Sequence, residues 1–226
     1  MDDLKSASRW LAALLIAQMV IGPIANFRLL EPAFQGQGGF LVNAAPHATA
    51  IGLAALLSIA LAVLLAAIAV VLWPVVRPLS ERMALALAVL GAAAIALAGA
   101  ENAALLSMLS LSQAYVEAGA LDGTLYEGLR IVVRSQRNWS HLFQLLSAGG
   151  VILAMYAAFY RFRLVPRWLA GFGVLAAMCQ MIAVTKPLFG GWVVFFLLAP
   201  LGAAQLILSG WLLWKPGFGR ATPAAR

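Results

Sequence analysis

The sequence predicts an all-α fold: a polytopic membrane bundle of six transmembrane helices with an amphipathic helical extension before the fourth. Three observations carry this. The chain is 64% hydrophobic and only 10% charged, whereas soluble domains carry about 25% charge. Lipid must therefore solvate surface that no soluble core of this size could hide. The apolar residues gather into six runs, each close to the roughly 20 residues that cross a bilayer. No run alternates polar with apolar residues as a barrel strand does, so each must satisfy its own backbone as a helix. Residues 1–226 read as a single transmembrane domain, with no soluble domain, long linker or internal repeat.

The first span is expected from Arg9 to Phe27. Lys5 and Arg9 give it a signal-like start, but its apolar stretch is longer than a signal core and lacks a clean small-x-small site. It is expected to be a retained helix. Gly36, Gly38 and Gly39 then read as a flexible outer loop. The second span runs from His47 to Trp73 and should end at Pro74. The third runs from Met83 to Leu111, where Ala84, Ala88, Ala92, Ala96 and Ala100 form a candidate packing ridge flanked by Gly91 and Gly99.

Asp122-Gly123 reads as a turn, and Thr124 with Glu127 matches a capping box at the start of the next helix. The fourth span covers Asn138 to Tyr160, the fifth Trp168 to Thr185 and the sixth Trp192 to Trp214. The lone cysteine, Cys179, sits inside an apolar run, so the chain has no internal disulfide and no cysteine metal motif.

The formal charge of +7 does not indicate nucleic acid, because the basic residues flank apolar runs and form no patch. With six spans both termini share one side. That side holds ten basic residues: Lys5, Arg9, Arg77, Arg82, Arg161, Arg163, Arg167, Lys215, Arg220 and Arg226. The other holds five: Arg28, Arg130, Arg134, Arg137 and Lys186. This bias predicts cytoplasmic termini. Trp10, Trp73, Trp168 and Trp214 fall at the inner ends, as an aromatic belt does.

Polar residues that interrupt the spans mark the candidate site, since charge inside lipid is costly. Glu101 and Asn102 break the third helix, roughly 27 Å of helix rise beyond Met83. Asn26, Arg28 and Glu31 stand at the outer end of the first helix, His47 opens the second, and Lys186 closes the fifth. Glu127, Arg130, Arg134, Arg137, His141 and Gln144 are spaced three, four, three, four and three residues apart. That spacing puts them on one helical stripe, with Leu125, Leu129, Val132 and Val133 largely off it. If the helix runs unbroken from Thr124 to Tyr160, the stripe descends from the outer water into the fourth span. Glu101 must then be protonated or paired. The stripe either sends its arginines to lipid phosphates or lines an outward-facing cleft that attracts an anion.

His47, His141 and Glu101 are suitable metal-ligand types, but they come from separate helices without a paired spacing, so no metal is expected. Lys186 precedes Pro187 at a helix end, which disfavours a mid-span Schiff base. No nucleotide-binding glycine loop, serine elbow or catalytic cysteine pattern occurs, and no cofactor is expected.

Leu111-Ser112-Gln113, Trp139, the run Leu164-Val165-Pro166-Arg167-Trp168-Leu169, and Trp211-Leu212 through Lys215-Pro216-Gly217-Phe218 resemble a bacterial membrane family catalogued as domain-of-unknown-function family 4386. The likeness covers most of the chain and is clearest in its second half. It implies the membrane bundle and a bacterial cytoplasmic membrane, and supplies no activity. That family often has an arginine shortly before the acidic residue of the third helix, where this chain has Ala98, Gly99 and Ala100. It often has a glutamate in the last helix where this chain has Gln205.

Three functions fit these residues. The leading one is binding or transport of a small or lipid-like, anionic ligand in a polar cleft in the outer half of the membrane. Its ligand-binding residues would be Asn26, Arg28, His47, Asn102, Arg130, Arg134, Arg137, Gln144 and Lys186. The second is an intramembrane enzyme of the isomerase or cyclase type, acting on a lipid or isoprenoid with Glu101 as acid and His141 as base. The third is a structural membrane subunit whose stripe meets another protein. Membrane lipids and the anionic ligand are the expected partners, nucleic acid is not, and an oligomer is left open.

Overall fold

The computed structural model describes residues 2–119 and 123–219. Among these the secondary structure is helical, with no strand. The elements are α1 (Asp2–Pro23), a π-helical stretch (Ile24–Leu30), α2 (Glu31–Gln35), α3 (Gly39–Asn43), a 3-10 turn (Ala45–His47), α4 (Ala48–Val76) and α5 (Glu81–Glu117). They continue with α6 (Gly123–Phe162), α7 (Arg167–Thr185), two 3-10 turns (Lys186–Phe189 and Phe195–Leu198) and α8 (Ala199–Trp214). Six helices are long and apolar enough to cross a membrane. This is the architecture of a multi-pass membrane protein, and the six expected runs all fall within it.

Several boundaries differ from the sequence reading, each for a local reason. The first helix does not stop at Phe27. Pro23 has no N–H to donate, and beyond it the ladder widens, so that the Glu31 N–H reaches Asn26 O. The Asn26 amide donates to Gly22 O at 3.0 Å. The helix α4 does not stop at Pro74 but runs to Val76. A proline in the last turn forfeits one hydrogen bond, and the buried Val75 and Val76 hold the extra turn. The helix of the sixth span, α8, begins at Ala199 rather than Trp192, with Pro200 in its first turn, where a missing N–H costs nothing.

The supposed flexible loop at Gly36–Gly39 is instead a set of compact turns. Gly38 and Gly39 take positive φ of 86° and 64°, and α3 starts there. The predicted capping box is not formed. Thr124 lies inside α6, and the Glu127 carboxylate accepts from Arg130 Nε at 2.7 Å. Asp122 of the predicted turn lies outside the described residues.

The chain divides into two compact units: Met1–Met19 with Ala62–Ala94 and Leu145–Arg226, and Val20–Leu61 with Ile95–Gln144. The core of the first contains Leu11, Leu15, Ile68, Leu72, Leu87, Met155, Tyr156, Phe159, Leu169, Leu208 and Leu212. Here Gly173 lets α7 pass over Tyr156, since a Cβ at Gly173 would fall on the tyrosine ring. Gly91 brings α5 against Ala66, whose Cα would lie 3.1 Å from an added Cβ. Ends of the chain meet in this unit. The Gly217 N–H donates to Ser8 Oγ at 2.8 Å, the Gly219 N–H donates to Leu164 O at 2.8 Å, and the Phe218 ring lies 5.9 Å from that of Phe159.

The second unit closes over Leu30, Phe40, Leu41, Ile51, Leu105 and Met108. Ser112 is its polar pin: its hydroxyl accepts from the Ala45 N–H and donates to Leu41 O, both at 2.8 Å. That bonding accounts for α5 continuing past Leu111. In both units large apolar side chains cover the outside, as with Leu56 (70% exposed) and Val70 (71% exposed), which suits a lipid solvent.

The alanine ridge does not form one packing face. Ala92, Ala96 and Ala100 are exposed, while Ala84, Leu87, Gly91, Ala94, Ala98, Glu101 and Asn102 are buried. A four-residue step turns 400°, so such a ridge drifts by about 40° per step and winds off the contact.

Candidate anion site on the sixth helix

The site lies wholly within the second unit. Its scaffold is α6, one unbroken helix from Gly123 to Phe162, as the stripe requires. Tyr126 fixes the start of α6 against the end of α5. Its hydroxyl donates to Ala114 O at 3.1 Å, and its ring meets Tyr115 edge-on at 5.2 Å.

On this frame the stripe brings Glu101 of α5 to two residues of α6. The His141 Nδ1–H donates to Glu101 Oε1 at 2.6 Å, and Arg137 Nη2 lies 3.6 Å from the same oxygen. Glu101 is 7% exposed, so it is paired rather than free in lipid, as its cost demands. The histidine makes the direct hydrogen bond. At 3.6 Å Arg137 attracts the carboxylate without being locked onto it. Arg137 Nε is buried without a protein partner, and the guanidinium lies 5.6 Å from the ring of Phe34.

Above this cluster is a cleft of about 270 Å³, lined by Phe34, Gln35, Gly39, Phe40, Met108, Arg130, Arg134, Arg137 and Asn138. Three guanidinium groups and no carboxylate form its wall. Phe34, Phe40 and Met108, delivered by α2, α3 and α5, complete the lining, with Phe40 and Met108 buried. Gly39 is required by its positive φ of 64° rather than by space, since Arg130 Nη1 would lie at an ordinary contact distance of 3.9 Å from an added Cβ. Arg130 is paired with Glu127, and Arg134 makes no ion pair among the described residues.

The remaining predicted residues do not line the cleft. Asn26 is bonded to Gly22 O, His47 to Asn43 O at 2.8 Å, and Asn102 to Ala55 O at 3.0 Å. Arg28 is exposed on the π-helical stretch, and Gln144 is buried one turn beyond His141. Lys186 is exposed in the other unit. Among the described residues no three His, Cys, Asp or Glu side chains gather as metal ligands would. Sequence reasoning missed Phe34, Gln35, Gly39, Phe40, Met108 and Asn138. The signal for the first four was the apolar content of the segment read as a loop: Leu29, Leu30, Phe34, Phe40 and Leu41 recur there too densely for a solvated connection, while nothing in the sequence singles out Met108 or Asn138.

A family model described as Domain of unknown function (DUF4386) matches residues 11–216. The chain belongs to this family. The match takes in five of the six long helices entirely and all but the start of α1, so it covers every residue of the cleft. The DUF4386 description names no chemistry. In this DUF4386 member the arginine facing Glu101 comes from α6, across the helix contact, rather than from α5 itself. No curated protein and no solved structure matches the chain.

Proposed function

We propose that this protein is a multi-pass component of the bacterial cytoplasmic membrane, with both termini cytoplasmic, that binds a small or lipid-like anionic ligand in the cleft on α6. The observation that carries the reading is the cleft wall: Arg130, Arg134 and Arg137 together, with no acidic residue among the lining side chains. A guanidinium fork binds carboxylate or phosphate oxygens two at a time, and such charge-assisted bonds are the strong ones. Three spans precede α6, so its first residues lie on the side opposite the termini. The ten-to-five basic bias supports that side being the outer one.

The test is extraction from native membranes in mild detergent, with bound small molecules identified by mass spectrometry. The wild type should retain an anionic species that the variant carrying Arg130→Gln and Arg134→Gln loses. An unchanged set of retained molecules refutes the reading. Arg137 is left intact because its removal would take one of the two partners of buried Glu101.

A second reading has one specific support, the 2.6 Å bond from His141 Nδ1 to Glu101. A carboxylate held at Nδ1 orients an imidazole and leaves Nε2 to accept a proton. In an intramembrane isomerase or cyclase, Glu101 would then orient His141 rather than act as the acid itself.

A further inference from the structure

We infer that the anion this cleft accepts is a singly charged phosphodiester head group carried on an apolar tail; the inference rests on the anion-binding reading above. Charge sets the valence. The cleft presents Arg130, Arg134 and Arg137, while Glu127 sits 2.7 Å from Arg130 and Glu101 sits 3.6 Å from Arg137. With His141, the direct partner of Glu101, counted neutral as in the formal charge, three cations less two carboxylates leave one uncompensated positive charge. A monoanion closes that balance, whereas a phosphomonoester dianion would leave one negative charge uncompensated beside Glu127 and Glu101.

Shape sets the rest. About 270 Å³ holds a head group and not a whole lipid. Its apolar lining is the half-buried Phe34, backed by the buried Phe40 and Met108; Phe34 suits the first methylenes of a tail and offers nothing to a free inorganic anion. Gln35 and Asn138 add amide donors and acceptors at the rim, where the hydroxyls of a polyol head would sit. The same phosphodiester exists in a membrane phospholipid and in its soluble deacylated head. The apolar wall assigns the lipid.

The experiment is native mass spectrometry of the purified protein in neutral detergent with four probes: dioleoyl phosphatidylglycerol, dioleoyl phosphatidic acid, dioleoyl phosphatidylcholine and glycerophosphoglycerol. Phosphatidylglycerol should bind about tenfold more tightly than phosphatidylcholine, and Arg134→Gln should abolish most of that preference, as loss of one charge-assisted contact does. Phosphatidic acid should bind no better than phosphatidylglycerol. Glu127→Gln, on an exposed side chain, raises the cleft to two uncompensated charges and should shift preference toward phosphatidic acid by about threefold.

Phosphatidic acid favoured tenfold in the wild type, or no shift in Glu127→Gln, overturns the valence while leaving the anion site standing. Glycerophosphoglycerol binding as tightly as the lipid overturns the tail. Phosphatidylglycerol and phosphatidylcholine bound equally, with or without Arg134, defeats the anion site itself.

Discussion

Replacing Glu101 by Gln removes one charge from a buried cluster, and the geometry sets the size of the effect. Arg137 Nη2 stands 3.6 Å from Glu101 Oε1. At an effective dielectric near 20 the attraction at that separation is ~5 kcal/mol before desolvation is counted. Breaking a buried pair by removing one partner typically costs about 3–5 kcal/mol, because the survivor stays charged and unpaired. Removing both partners strands nothing, so the double replacement should be much milder than the sum. Unfolding can be followed in detergent by the reaction of Cys179 with a thiol-activated fluorophore, since it is the only cysteine. A loss of ~3 kcal/mol corresponds to a midpoint lowered by about 6–12 °C for a chain of this length. The variant carrying both Glu101→Gln and Arg137→Gln should recover more than half of that loss. A Glu101→Gln midpoint within about 2 °C of wild type, or a double variant that simply adds the two losses, refutes the claim that these residues form a coupled pair.

Three further outcomes follow from other parts of the fold. Ser112→Ala strips the partner from both the Ala45 N–H and Leu41 O, and should lower stability by about 2–4 kcal/mol in the same thermal assay. Gly173→Ala drives a methyl into the Tyr156 ring and should cost about 1–3 kcal/mol, whereas Gly22→Ala, with open space around it inside a helix, should not lower the midpoint. In a Cys179→Ala background, an impermeant thiol reagent applied to intact cells should label Gln37→Cys and spare Ser6→Cys; the reverse pattern overturns the proposed topology. Gln37 is chosen because a side chain at Gly36 would collide with Asn43.

The spans were legible because a bilayer imposes a length and a polarity on every crossing segment, and both are written locally in the residues. The stripe was legible for the same reason: the three-four spacing of Arg130, Arg134, Arg137 and His141 needs only the helical repeat to become a face. What Glu101 would meet was not. Its partner depends on how α5 is rotated about its own axis relative to α6, and no spacing within either helix encodes that. The alanine ridge failed on that same degree of freedom. Small side chains at every fourth residue promise close approach only if the repeat stays in phase with the contact, and it was Gly91, off the ridge, that met Ala66. The segment between the first two spans reads as a loop from its glycines, but its phenylalanines decide how it packs. Gly38 and Gly39 do turn the chain, yet they turn it into α3 and place Phe40 in a core.

The hydrogen bond from Gly217 to Ser8 joins residues 209 apart in sequence. It makes the folded chain, in effect, a ring with its seam already aligned. Closing a loop of that length costs an open chain ~5 kcal/mol of configurational freedom. A covalent link across the seam would carry that cost into the unfolded state instead. A short linker from Gly219 to Lys5, with fresh ends cut between Gly190 and Gly191, would therefore give a circularly permuted protein with the same helices in a new order. Such a permutant would begin with the last helix and insert it first, which separates the order of synthesis from the order of packing.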